Sequence, residues 1–261
     1  MNVLSIQSHV AFGHVGNASA VFPMQRLGVE VWPVHTVQFS NHTGYGAWKG
    51  RVFDGPAIEE LIDGIADRGV LGRCDGVLSG YMGSADIGTA ILSAVARVRQ
   101  ANPQALYCCD PVIGDVGRGV FVRPGIPEFM RDQAVPTADI VTPNQFELDY
   151  LSGRTTETLA DAKVAVAAVQ GLGPEVVLVT SLHTRETPSD AIDLLAGDAI
   201  AALFLVHYAR SGSAATALGE AAASVYGLLK RTAEAGSREI LTVEAQDEFV
   251  SPTTRFPVEE V

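Results

Sequence analysis

Short apolar runs rich in β-branched residues alternate with longer helical patterns along most of this 261-residue chain. That alternation constrains the fold more than any other feature. Strands are expected at 3–6, 29–37, 77–79, 106–110, 140–142 and 176–180. Helices are expected at 18–27, 56–68, 85–100, 126–133, 145–151, 159–172, 199–208 and 214–235. Strands joined through helices run parallel and need cover on both faces, so the expected architecture is an α/β three-layer sandwich around a mostly parallel sheet. No repeat, low-complexity tract or Pro/Ser-rich linker interrupts the pattern, and one domain over residues 1–261 is expected.

Composition narrows the class of partner. A hydrophobic fraction of 47% against 18% charged residues fills a large core and excludes a disordered tail or linker protein. Thirty acids against 18 bases leave a net charge of −12, with no basic run to track phosphates, so nucleic acid and anionic membrane are both poor partners. The longest apolar stretch of the C-terminal half, 199–206, falls far short of the roughly 18–20 residues that span a bilayer. The opening Met1-Asn2-Val3-Leu4-Ser5-Ile6 lacks a charged n-region and a long h-region. Cys74, Cys108 and Cys109 fit neither a disulfide framework nor a zinc spacing. A reduced, cytoplasmic protein is the expectation.

In a parallel sheet the ligand sits beyond the carboxyl ends of the strands. Polar groups recur at each such end: Gln7-Ser8-His9 and the turn with Gly13 and Gly16, then Ser40-Asn41-His42-Thr43-Gly44-Tyr45, then Gly80-Tyr81-Met82-Gly83. Asp110-Pro111 follows the fourth strand, Thr142-Pro143-Asn144-Gln145-Phe146-Glu147 the fifth, and Ser181-Leu182-His183 the sixth. Asp110 with the glycine-rich run 114–119 reads either as a carboxylate near a metal–phosphate group under a flap, or as an ordinary strand end and turn. Glu147 reads either as a helix-dipole partner or as the second of two acids orienting hydrated Mg²⁺. Asp198 after Gly197 reads as a helix cap, or as a base beside backbone N–H groups open to an anion. No Walker, dinucleotide, G-x-S-x-G or H-E-x-x-H pattern is present, and the six histidines have no metal-ligand spacing.

Taken together and in order, these segments resemble the pyridoxal kinases of the ribokinase-like superfamily. The resemblance rests on Ser5-Ile6-Gln7-Ser8-His9-Val10 with Gly13-His14-Val15-Gly16-Asn17, on residues 37–45, on Gly80-Tyr81-Met82-Gly83, on Asp110-Pro111-Val112 and on residues 142–147. It implies a ribokinase-like fold and ATP- and Mg²⁺-dependent phosphorylation of the 5′ hydroxymethyl group of pyridoxal, by a homodimer. It further implies that Ser8, Thr43 and Gly44 touch the ring substituents, with His42 and Tyr81 close to the ring. Asp110, Asp115, Thr142, Glu147 and Thr180 would lie along the ATP side, with Asp110 and Glu147 holding Mg²⁺ through water. Asp198 would be the catalytic base, also touching substrate, with Gly197 and Ala196 supplying the anion hole.

Two departures stand out. The family usually carries a hairpin and a further strand before the Gly-x-Gly-Asp motif, whereas here 190–195 runs straight into Ala196-Gly197-Asp198, and Leu195 replaces the motif's first glycine. Either the protein has a true deletion or the sequence omits a loop; the second is expected, because losing strands would expose core. Thr180 stands where many relatives carry a lysine. The alternatives are a kinase of another hydroxymethyl heterocycle such as hydroxymethylpyrimidine, or a catalytically weak vitamer-binding protein.

Overall fold

In the computed structural model, described for residues 1–185, 187 and 197–258, a seven-stranded sheet runs in the order β3-β2-β1-β4-β5-β8-β9. Its strands are β1 (Asn2–Phe12), β2 (Glu30–Asn41), β3 (Gly50–Val52), β4 (Gly76–Ser79), β5 (Leu106–Cys109), β8 (Ile140–Val141) and β9 (Val176–Val177). All neighbours pair in parallel except β3, which runs antiparallel to β2 at the edge. A separate two-stranded hairpin, β6 (Gly114–Asp115) and β7 (Gly119–Val120), stands beyond the end of β5. The expected strands at 77–79, 106–110 and 140–142 coincide with observed ones to within a residue, whereas β2 runs on past 37 to Asn41 and β9 stops at Val177, short of 180. The first is longer than expected: it continues through Gln7, Ser8 and His9 to Phe12, with a register shift between Gln7 and His9.

Alternation along the strands builds two cores, one on each face. Leu4, Ile6, Val77, Tyr107, Cys109 and Val141 turn to one side. There they pack against α2 (Gly55–Ala66), α3 (Ala85–Ala101), the broken helical stretch α4 (Ile126–Phe129) and α5 (Val135–Thr137), α6 (Gln145–Ser152) and α7 (Leu159–Gln170). Val3, Val31, Leu78, Cys108 and Ile140 turn to the other, against α1 (Asn17–Arg26), α8 (Gly197–Ser211) and α9 (Ala214–Glu234). The short α10 (Asp247–Val250) closes that layer through Phe249. Residues 199–206 of α8 are buried at every position, which explains why their sequence is apolar all round. Fully burying such aliphatic and aromatic side chains is worth about 1.5–3 kcal/mol each, so α8 is firmly anchored. Leu195, Ala196 and the junction before them lie outside the described residues.

Candidate active site

The strand ends converge as expected, and the chain supplies two groups of polar residues there. The first centres on the turn between β1 and α1. Ser5 Oγ donates to Asn17 Oδ1 at 2.7 Å, Gln7 Nε2 donates to Ser5 Oγ, and Asn17 Nδ2 donates to the carbonyl oxygen of Val34. These buried groups satisfy one another, which keeps the polar floor stable inside an apolar sheet. Above it lie buried Ser8 and the left-handed Gly16, with φ of 55°. A Cβ at Gly16 would collide with the carbonyl oxygen and hydroxyl of Ser8, so only glycine fits.

Gly16 also carries a contact between segments far apart in the chain. Its N–H donates to Asp198 Oδ2 at 2.9 Å, across 182 residues. Asp198 lies in the first turn of α8, where the helix dipole and free N–H groups favour negative charge. Burial nevertheless pushes its carboxyl up, opposed by the Gly16 N–H and by the nearby His42. His42 caps the single helical turn Thr43–Tyr45, its Nδ1 accepting from the Gly44 N–H at 3.3 Å. Ser8, His42, Thr43, Gly44 and Asp198 thus belong to one region of the cleft. Tyr81 is half-buried against the core, its carbonyl accepting from Thr36 Oγ1 at 2.7 Å; no hydrogen bond among the described residues joins it to the 42–44 turn.

The second group gathers at the ends of β5 and β8. Thr142 Oγ1 donates to Asp110 Oδ1 at 3.1 Å. Glu147 and Asn144 form a reciprocal capping box at the start of α6, and Glu147 Oε1 also accepts from the Ile113 N–H at 2.9 Å. Asn144 Nδ2 donates to the Gly114 carbonyl at the root of the β6–β7 flap. The helix-cap reading of Glu147 is therefore true as far as it goes, and the same carboxylate ties α6 to the flap. Asp115 lies in the flap, its Oδ1 accepting from the Val116 N–H. Thr180 is buried and its N–H donates to the Pro143 carbonyl, so it sits beside Asn144 without supplying a cation.

The two groups share one electrostatic field. Burial pushes Asp110 well above the carboxylate range, and the charges of Glu147 and Asp198 add to that. Burial likewise pushes Glu147 up to about 7, although N–H groups of Ile113, Asn144 and Gly114 pull the other way. Acids crowded in this way are the arrangement a cation relieves. The donor set suits a hydrated Mg²⁺: both Glu147 oxygens already accept backbone N–H groups, while Asp110 Oδ2 carries no protein hydrogen bond among the described residues. No group of three or more potential metal ligands is found among the described residues.

Comparison with known proteins fits this geometry. The family described as phosphomethylpyrimidine kinase matches residues 73–233. The pyridoxal kinase PdxY of Granulibacter bethesdensis is 63% identical, with 98% of each chain covered. The chain belongs to the pyridoxal kinase family. The kinase is also 49% identical to the pyridoxal kinase PdxY of Corynebacterium diphtheriae over 282 positions that cover both chains fully, 21 more than the 261 residues here. That relative thus has residues this chain lacks. Among solved structures, pyridoxal kinase from Leishmania donovani with ADP and pyridoxamine superimposes with a TM-score of 0.88 at 30% identity, covering 98% of this kinase and 99% of that chain. The ribokinase-like fold expected from the sequence is the fold observed.

Proposed function

We propose that this protein transfers the γ-phosphoryl group of ATP to the 5′ hydroxymethyl group of pyridoxal, giving pyridoxal 5′-phosphate. The observation that carries the proposal is Asp198: a carboxylate at the amino end of a buried helix, held by the Gly16 N–H, between the Ser8–His42 region and the Asp110–Glu147 pair. A primary alcohol is a weak nucleophile, so its oxygen must be held in line and its proton removed as the bond to phosphorus forms. Asp198 accepts that proton. Ser8, His42, Thr43, Gly44 and Tyr81 bind and orient the pyridine ring. Asp110, Asp115, Thr142, Glu147 and Thr180 line the nucleotide side, and Gly197 with Ala196 offers N–H groups to the moving phosphoryl charge. Asp110 and Glu147 would hold Mg²⁺ through water, and when bound it neutralises charge on the phosphates.

The protein acts as a single domain over residues 1–261 and, like most soluble assemblies of one chain, as a two-fold homodimer, in the cytoplasm. The missing residues are assigned to the junction before Ala196, where the sequence runs from Leu194 straight into Leu195-Ala196-Gly197-Asp198. A coupled ADP-release assay with Mg²⁺-ATP and pyridoxal, pyridoxine or hydroxymethylpyrimidine tests the activity. The description of the matching family makes the pyrimidine a necessary competitor. Fastest turnover on pyridoxal is expected. Fastest turnover on the pyrimidine would reassign the substrate, and tight pyridoxal binding without ADP release would make the protein a vitamer carrier.

A further inference from the structure

Three segments distant in sequence meet beside the turn that carries His42, Thr43 and Gly44. The next residue, Tyr45, donates its hydroxyl to Glu239 Oε1 in a short hydrogen bond. The Arg238 guanidinium lies over the Tyr45 ring, 3.9 Å from its centroid, in cation–π geometry. The Phe12 ring meets Tyr45 edge-on with centroids 6.2 Å apart. Glu239 in turn rests on the β1–α1 turn: a Cβ at Gly13, whose φ is 92°, would lie 2.5 Å from Glu239 Oε2. The segment after α9 is itself pinned, by Ser237 Oγ donating to the Glu239 carbonyl and by Thr242 Oγ1 in contact with His14.

We propose that Arg238 and Glu239 are positioning residues for vitamer recognition, latching Tyr45 so that the adjoining 42–44 turn is held ready for the pyridine ring. The inference rests on the pyridoxal kinase reading. The turn needs such a latch because it hangs near an edge: beyond Val37, β2 pairs with β1 on one side and on the other with nothing longer than the three-residue strand β3, and Gly44 and Gly46 to Gly50 are exposed. Neither Arg238 nor Glu239 forms an ion pair with a third residue among those described, so their side chains are committed to this junction. Preorganising a loop in its binding conformation raises affinity without touching the chemical step. The latch should therefore act on KM for pyridoxal and leave kcat and the nucleotide alone.

The test is steady-state kinetics on Tyr45→Phe, Glu239→Ala, Glu239→Gln and the double variant Tyr45→Phe/Glu239→Ala. Losing a hydrogen bond to a charged group predicts a KM for pyridoxal about tenfold higher in the first two, with kcat and KM for ATP within about twofold of wild type. Glu239→Gln keeps an acceptor and should recover most of the loss, and the double variant should be no worse than Glu239→Ala. Limited trypsin cleavage after exposed Lys49 should be faster in both disrupting variants. An unchanged pyridoxal KM, an additive double variant, unchanged cleavage, or a parallel fall of kcat with rising ATP KM would each overturn the latch. Cleavage needs no turnover, so a wild type inactive on pyridoxal sinks the kinase reading separately.

Discussion

Replacing Glu147 with glutamine should remove activity and yet make the folded protein progressively more stable than wild type as pH rises. Burial raises the Glu147 carboxyl from its ordinary 4.5 to about 7 in the fold. The folded state therefore holds the proton more tightly than the unfolded chain. That contribution is fully present below pH 4.5 and is lost as pH rises through about 7. At about 1.4 kcal/mol per pH unit, the interval from 4.5 to about 7 amounts to roughly 3 kcal/mol. Glutamine cannot ionise, so the variant escapes the pH-dependent loss, at a pH-independent cost because its amide nitrogen cannot accept one of the two backbone N–H groups that Glu147 accepts. Asp110 acts in the same direction, because removing the Glu147 charge relieves one of the causes that push its carboxyl up. Urea unfolding of both proteins without divalent cation, from pH 4.5 to 8, should show the variant gaining about 3 kcal/mol on wild type, or about 6–12 °C in Tm. Added Mg²⁺-ATP should shrink that advantage, since only the wild type keeps both acids. A stability difference flat across this range, or one that grows in favour of wild type, would refute the electrostatic reasoning.

Other perturbations probe separate parts of the cleft. Asp198→Asn should lower kcat about 10²–10⁴-fold and leave KM for pyridoxal within about threefold; a loss of binding as large as the loss of turnover would deny it the base role. Gly16→Ala should lower kcat sharply, because the new methyl group drives Ser8 and the N–H that holds Asp198 apart; urea unfolding alongside the assay separates this from global loss, and wild-type kcat would refute it. Asn144→Ala should cost about 1 kcal/mol through the lost helix cap and raise KM for ATP by freeing the flap at Gly114; an unchanged KM would detach the flap from nucleotide binding. Intact mass of the purified protein decides the junction before Ala196: 27.5 kDa means a true deletion, and a larger mass an omitted segment.

Much of the fold was legible because its signals are local. Buried parallel strands and the apolar stretch 199–206 of α8 announce themselves by composition, and the Asn144-x-x-Glu147 capping box is a pattern within four residues. The far half of β1 was not legible: Gln7, Ser8 and His9 read as a loop, and Gln7 is accommodated by its Nε2 donating to Ser5 Oγ and its carbonyl accepting from Asn17 Nδ2, while the His9 ring stacks on that of His35. Strands of two or three residues, β3, β6 and β7, are too short to show a period. The pairing of Gly16 with Asp198 and the clasp of Tyr45 by Glu239 depend on segments meeting across 182 and 194 residues, which no local pattern encodes. Residues 114–119 read from the sequence either as a glycine-rich flap or as a surface turn, and the chain there forms the β6–β7 hairpin.

Asp198 rides on a helix buried at every position from 199 to 206, whereas the turn proposed to face the ring hangs from a border hairpin with water on one side. Drift in sequence can reshape the second without disturbing the first. On the proposed assignment, a change of heterocyclic alcohol would need edits only at that border turn, while the proposed apparatus for moving a phosphoryl group stays fixed in the core.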